Sequence, residues 1–145
     1  MGGEVEALFE AWIARIGHFF APTFAGADGR VSEDYMAAVH PRFLRWVEDV
    51  CLRPYDQAWL DYQHEIALRH HRTKKNRTDG AAAAEIVPLR YLPVATVPMT
   101  LALCEFLRDR DTAAEGVEAM VDAWLKSFAL HVALWSHPYA HAGDW

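Results

Sequence analysis

Apolar residues recur at helical spacing along almost the whole chain, and no segment alternates between apolar and polar as a strand would. Turn residues, prolines and capping residues divide this pattern into five helical segments. No repeat or linker separates them, so we expect one all-α domain over residues 1–145. The predicted helices run from about Val5 to Phe19, from an N-cap at Ser32 to Arg53, and over Tyr55–Arg72, Ala84–Arg108 and Thr112–Ser136.

Prolines refine these boundaries. Pro22 is expected to end the first helix, and Pro41 to kink the second or to break it into two pieces. Pro88 suits the first turn of the fourth helix, where a missing N–H costs nothing. Pro93 and Pro98 are expected in the interior of that helix. An interior proline costs about 3 kcal/mol unless the helix bends around it.

Composition narrows the class of protein. Apolar residues make up 52% of the chain and charged residues 23%, as in soluble globular domains. A net charge of −6 argues against nucleic acid as a partner, and charges or prolines interrupt every apolar stretch that could span a membrane. Glu4 and Glu6 rule out a secretory signal. Cys51 and Cys104 form no CxxC motif, so we expect two free buried thiols and a cytoplasmic protein.

One of the eight histidines stands out on a helical wheel of the third helix. Trp59 lies about 20° and Ile66 about 40° from His70, at 100° per residue. His71 lies about 100° and His64 about 120° away, towards polar neighbours. His70 is therefore expected to point inward. Periodicity leaves two roles open: a core histidine bonded to a backbone carbonyl, or the single axial ligand that a globin-like haem requires.

The remaining candidates for chemistry are weaker. His131 is expected at the edge of the apolar stripe of the last helix, and Pro138 separates His137 from His141. The chain contains no HExxH motif, zinc-type cluster, paired-carboxylate motif, GxSxG or phosphate-binding loop. Acid–base or nucleophilic catalysis therefore has no support in the sequence.

Three segments carry a resemblance to a known family. Residues 55–76 read YDQAWLDYQHEIALRHHRTKKN and closely resemble the proximal helix of protoglobins, single-domain relatives of the globin-coupled sensors. Residues 34–46, and the C-terminal LWSHPY and GDW at residues 134–139 and 143–145, are similar to the same family. The resemblance implies a globin-like sandwich of helices around haem b, with His70, the first histidine of the pair, as the iron ligand.

The resemblance also implies a distal wall, from which two residues depart. Ile13 stands where protoglobins have a tyrosine that hydrogen-bonds bound oxygen, and Ala95 stands where they have a phenylalanine. One lost hydrogen bond lowers oxygen affinity by up to about tenfold. The shorter Ala95 leaves room for a larger ligand, unless neighbouring valines of the fourth helix fill the space. The implied distal residues are Trp12, Ile13, Val39, Phe43 and Ala95.

Further expectations concern the haem edge and the assembly. Trp59 and Ile66 are expected to contact the haem beside His70, and Arg42 and Arg69 are candidate partners for its propionates, with solvated surface positions as the alternative. Family members have an N-terminal extension and a first globin helix ahead of the point that matches Met1. We therefore expect a shortened natural or engineered form, or cover from a second subunit, in a homodimer formed through the fourth and last helices.

Two functions from different classes follow. The first is reversible binding or sensing of a diatomic gas (O2, CO or NO) at ferrous haem. The second is haem-dependent catalysis in a widened distal pocket: peroxidase-like chemistry, nitrogen-oxide chemistry, or carbene- or nitrene-type group transfer, as in an engineered variant. A sensor module without its output domain ranks last.

Overall fold

The structure is a computed structural model that describes residues 2–110 and 113–140, with the backbone alone at Gly2 and Ile16. These residues form helices and one isolated antiparallel bridge between Ala25 and Val31. The all-α prediction is therefore confirmed. The helices are α1 (Gly2–Phe24), α2 (Glu33–Leu52), α3 (Gln57–His70), α4 (Tyr91–Arg108), α5 (Ala114–Ser136) and a short 3-10 helix (His137–Tyr139).

Side-chain caps begin two of the helices. Ser32 accepts a hydrogen bond from the backbone N–H of Tyr35 at 3.2 Å, which confirms it as the N-cap of α2. Asp56 caps α3 in the same way, accepting from the N–H of Trp59 at 2.9 Å. Both caps satisfy backbone donors that have no partner within the helix. The start of α2 is therefore as predicted, whereas α3 begins at Gln57, two residues after its predicted start at Tyr55.

The prediction for Pro22 is wrong, because α1 continues through Pro22 to Phe24. Helix α2 runs unbroken through Pro41, which excludes the predicted break, whereas a kink at Pro41 stays a prediction. In α1, the residues after the proline are buried: Thr23 is 2% exposed and Phe24 is 8% exposed. The Thr23 hydroxyl also donates to the carbonyl of Phe20 at 2.7 Å. Packing and this hydrogen bond offset the backbone bond that proline removes.

The predicted start of the fourth helix is also wrong. Residues 84–90 are not helical, and α4 begins at Tyr91, whose N–H donates to the carbonyl of Pro88 at 2.9 Å. Pro93 therefore lies in the first turn, where its missing N–H has no carbonyl to bond, and only Pro98 lies in the interior.

The other helix ends need smaller changes. Helix α3 ends at His70, not at Arg72, because the backbone of His71 is extended. Helix α5 ends at Ser136 as predicted, whereas its predicted start at Thr112 lies outside the described residues.

The core is built around the indole of Trp46 on α2. Helix α5 packs against α3 and α4, while α1 packs against α2 and α4. The Trp46 ring contacts four side chains of α5, with centroids 5.7 Å away for Trp124 and His131, 5.8 Å for Phe128 and 5.5 Å for Trp135. Aromatic pairs at these separations contribute about 0.5–1.5 kcal/mol each beyond the area that they bury.

The structure also bears on two further expectations from the sequence, which concern the cysteines and membrane-spanning segments. Both cysteines are free, but Cys51 is exposed and Cys104 is only half-buried, so the expectation of two buried thiols is wrong. Cys51 lies in the last turn of α2. Within residues 2–110 and 113–140, no helix combines the length and hydropathy needed to cross a membrane.

Candidate functional site

A cavity with largely apolar walls opens among the helices. Helix α3 contributes Ile66 and His70, and the turns that follow α3 close one side with Lys75 and Asn76. The other helices supply most of the apolar wall: Trp12, Phe20 and Phe24 from α1, Val39, Phe43 and Trp46 from α2, Leu92, Ala95 and Met99 from α4, and Phe128 and Trp135 from α5. Such a pocket with few polar groups is typical of a small-molecule or cofactor site.

His70 is the side chain of this wall whose state suits metal binding. Its Nδ1 lies 2.9 Å from the carbonyl oxygen of Ile66. A carbonyl only accepts hydrogen bonds, so Nδ1 carries the proton and the lone pair of Nε2 is free. Burial, reinforced by the charges of Lys75 and Arg42, lowers the pKa of His70 to about 4. A neutral imidazole with a fixed tautomer is the form that binds a metal.

A buried hydrogen bond supports the ring of His70. The ring stacks against Trp135 of α5, with centroids 5.3 Å apart and planes 26° apart. The Trp135 indole in turn donates to the side-chain oxygen of Gln63 at 2.9 Å, one helix away on α3. Gln63 is 1% exposed and Trp135 is 6% exposed. Helix α5 therefore fixes the orientation of His70 through a stacked ring that is itself anchored to α3.

The structure brings together most of the side chains singled out from the sequence. Ile13 and Trp59 are not among the residues that line the cavity. Ile13 is half-buried on α1, next to the lining residue Trp12. The predicted residues that do line the cavity are Trp12, Val39, Arg42, Phe43, Ile66, Arg69, His70 and Ala95.

Trp59 shows the limit of the helical wheel. It is 1% exposed, stacks on Tyr55 and meets His131 edge-on. Trp59 shares the inward face of α3 with His70 but lies eleven residues earlier, which is about 16 Å along the helix axis. A wheel gives the direction of a side chain and says nothing about its height. Trp59 therefore packs in the core away from the cavity.

Both predicted arginines line the cavity, and each already has a carboxylate partner. Arg42 Nη2 lies 2.6 Å from Asp79 Oδ2. Arg69 Nε lies 3.2 Å from Glu65 Oε1, and Lys74 Nζ lies 2.5 Å from Glu65 Oε2. These pairs form a charged rim on one side of an otherwise apolar cavity.

The burial of two side chains, His131 and Lys75, was not predicted from the sequence. His131 is fully buried, contrary to the expected edge position, although its place seven residues after Trp124 and four before Trp135 marks the inward face of α5. Lys75 is 3% exposed and lines the cavity. Residues 70–77 are rich in basic side chains, a pattern typical of a solvated helix end and loop. Only the fold of residues 71–80 shows that this one cation turns inward.

These features define a class of protein. A helical fold encloses an apolar cavity with one neutral, oriented histidine, which fits the needs of a globin-like haem site. A family model described as Protoglobin matches residues 3–145, so the chain belongs to the protoglobin family within the globin superfamily. This confirms the resemblance found in the sequence, and membership implies binding of haem. No curated protein matches the chain. The last three residues of the C-terminal motif lie outside the described residues.

The support of His70 can be tested through Gln63. In Gln63→Leu, the indole N–H of Trp135 loses its buried acceptor, so we expect the free energy of unfolding to fall by about 1–3 kcal/mol. Urea denaturation measures this change. In Gln63→Leu/Trp135→Phe no donor is left unpaired, so the double variant should lose less than the sum of the single losses.

Gln57→Leu is the matched control for this prediction. Gln57 bonds Asp61 at 2.8 Å on the exposed face of α3, so its loss should cost less than about 0.5 kcal/mol. Equal effects at positions 57 and 63, or strict additivity in the double variant, would contradict the anchoring role of Gln63.

Proposed function

We propose that this chain binds haem b in the cavity, with Nε2 of His70 as the protein ligand to iron, and that it reversibly binds a diatomic gas such as O2, CO or NO. The observation that carries the proposal is the state of His70: neutral, with Nδ1 held by the Ile66 carbonyl and Nε2 free. Membership of the protoglobin family supports the choice of cofactor. We propose that it acts in the cytoplasm, where its thiols stay reduced.

Some residues of the cavity would hold and orient the iron ligand, and others would keep water out of the pocket. Ferrous haem supplies the open coordination position at which a gas binds. The Ile66 carbonyl keeps the tautomer of His70, and the Trp135 ring limits rotation of the imidazole. Trp12 and Phe43 stack with centroids 4.8 Å apart and contribute an apolar wall that keeps water out. A dry apolar pocket favours a small uncharged ligand over water.

Removal of the imidazole tests the ligand. His70→Gly should lose the spectrum of histidine-ligated ferrous haem and of its CO complex, because no other protein atom replaces Nε2. Added free imidazole should restore both spectra, since it fits the space vacated by the side chain. Visible spectra of the oxidised, reduced and CO-bound protein measure this change.

The neighbouring histidine provides the control. His71 bonds Thr73 at 2.7 Å and meets Tyr139 edge-on, so His71→Gly should leave the spectra unchanged. An unchanged spectrum in His70→Gly would mean that the ligand assignment is wrong.

A second function is favoured by the lining of the cavity at Ala95. This small side chain lies between Leu92 and Met99 on the cavity-facing side of α4. A small residue at that position leaves space for a substrate larger than a diatomic gas. The alternative to gas binding is therefore haem-dependent catalysis on a larger molecule.

Filling this space distinguishes the two functions. Ala95→Phe should weaken the binding of ethyl isocyanide to the ferrous protein by about tenfold or more, because overpacking costs about 1–3 kcal/mol. Carbon monoxide is smaller and should be affected by less than about threefold. Equilibrium titrations followed in the visible spectrum give both affinities.

Ala58→Phe is the matched control, because Ala58 is exposed on α3 and does not line the cavity. It should change neither affinity. If Ala95→Phe changed both affinities equally or neither of them, no room for a larger ligand would exist at this position, and plain gas binding would be favoured.

We also propose that the chain forms a homodimer through α4 and α5. Helix α4 exposes three apolar side chains at spacings of three and four: Val94, Val97 at 64% and Leu101 at 49%. Helix α5 packs beside α4 and adds exposed Met120 and Leu130. Contiguous exposed apolar residues on adjacent helices mark a protein interface.

A charge within this surface tests the dimer. Val97→Asp should raise the dimer dissociation constant by about 100-fold or more, because an unpaired charge would be buried in the interface. Leu60→Asp is the control, since Leu60 is 40% exposed on α3, outside the proposed surface. Sedimentation equilibrium measures both. A monomeric parent protein, or equal effects of the two variants, would refute the interface.

A further inference from the structure

Lys75 is a buried cation without an anionic partner. Its side chain is 3% exposed, its ammonium donates to the backbone carbonyl of Ala84, and it lies 4.2 Å from the centre of the Tyr35 ring. A carbonyl and an aromatic face attract a cation but do not neutralise it. In the part of the chain that the structure describes, no carboxylate forms an ion pair with Lys75.

The other cations of the cavity are neutralised to different degrees. Arg42 is balanced by Asp79, at 2.6 Å. Arg69 and Lys74 share the single carboxylate of Glu65, at 3.2 and 2.5 Å, so one positive charge remains there. With Lys75, the described rim of the cavity has an excess of two positive charges. A haem b carries two propionate carboxylates, so it supplies the matching negative charge.

One excess positive charge lies at Lys75 and the other is shared by Arg69 and Lys74. Because Lys75 is buried, it gains more from binding an anion. A buried ammonium is costly unless it is paired, and burial lowers the pKa of Lys75 to about 8. A carboxylate within hydrogen-bond distance would remove this cost and form a charge-assisted bond, which is about twice as strong as a neutral one. The exposed Lys74 has less to gain, because water already solvates it.

We propose that Lys75 binds a propionate carboxylate of the haem. Arg42, selected from the sequence for that role, is instead committed to Asp79. The proposal rests on the proposed binding of haem and adds to it a site for one carboxylate at the turn after α3.

The test compares two porphyrins with the same ring and iron, one with charged propionates and one with esterified propionates. The full chain and its Lys75→Met variant are loaded with haemin or with haemin dimethyl ester, whose propionates are uncharged. The rate of porphyrin loss to excess apomyoglobin is then measured. We expect Lys75→Met to lose haemin at least about tenfold faster than the parent protein, which corresponds to about 1.4 kcal/mol. Loss of the dimethyl ester should change by less than about twofold.

Two further variants complete the design. Lys126→Met removes an exposed lysine of α5 that pairs with Asp122 and does not line the cavity, and it should change neither rate. Lys75→Gln has a shorter, uncharged side chain that still carries N–H donors, so it should reproduce the effect of Lys75→Met. It also serves as the test if Lys75→Met fails to fold, as judged by circular dichroism.

The outcomes separate this proposal from the function on which it rests. If neither porphyrin gives the shifted and sharpened Soret band of a protein-bound haem with the parent protein, the proposed binding of haem fails. If the parent binds both porphyrins but the Lys75 variants lose both at the same increased rate, Lys75 supports the cavity wall and binds no carboxylate. If the variants lose haemin at the parent rate, the carboxylate site is equally overturned.

Discussion

The hydrogen bond from the Trp135 indole to the Gln63 side chain joins α5 to α3 inside the core, and the candidate site depends on it. Trp135 contacts Trp46 on one side and stacks on His70 on another. A shift of α5 would therefore move the ring that orients the imidazole. Because the Trp135 N–H is buried, it has no water to replace Gln63, and the two helices keep one register.

Burial lowers the pKa of both His70 and Lys75, with different consequences for the two side chains. For His70, a low pKa leaves a neutral ring, which is the state that a metal ligand requires. For Lys75, the same desolvation leaves an ammonium that only an anion can satisfy fully. The positive charge of Lys75 also disfavours protonation of His70. A cofactor with a metal at its centre and carboxylates at its edge would suit both side chains. The metal would bind the neutral imidazole, and a carboxylate would pair with the ammonium.

Much of the fold could be predicted from the sequence, because helical periodicity and caps are local. The wheel of α3 correctly placed His70 and Ile66 in one wall, but it could not exclude Trp59, whose distance from the cavity is axial. Pro22 misled the prediction because the packing of Phe24 outweighs a missing backbone bond. The burial of the Lys75 side chain could not be predicted from the sequence, since the composition around it indicates only a basic loop.

The distal wall shows that resemblance to a family does not by itself establish which residues line the cavity. Ile13 and Ala95 both depart from the protoglobin pattern, yet only Ala95 lines the cavity. The two departures therefore have different weight: Ala95 changes the space available to a ligand directly, whereas Ile13 acts only through its neighbours on α1. The wall at Ala95 lies between the larger side chains of Leu92 and Met99, whose positions α4 fixes. In the proposed site, ligand size would therefore depend chiefly on α4, and the orientation of His70 on α3 and α5.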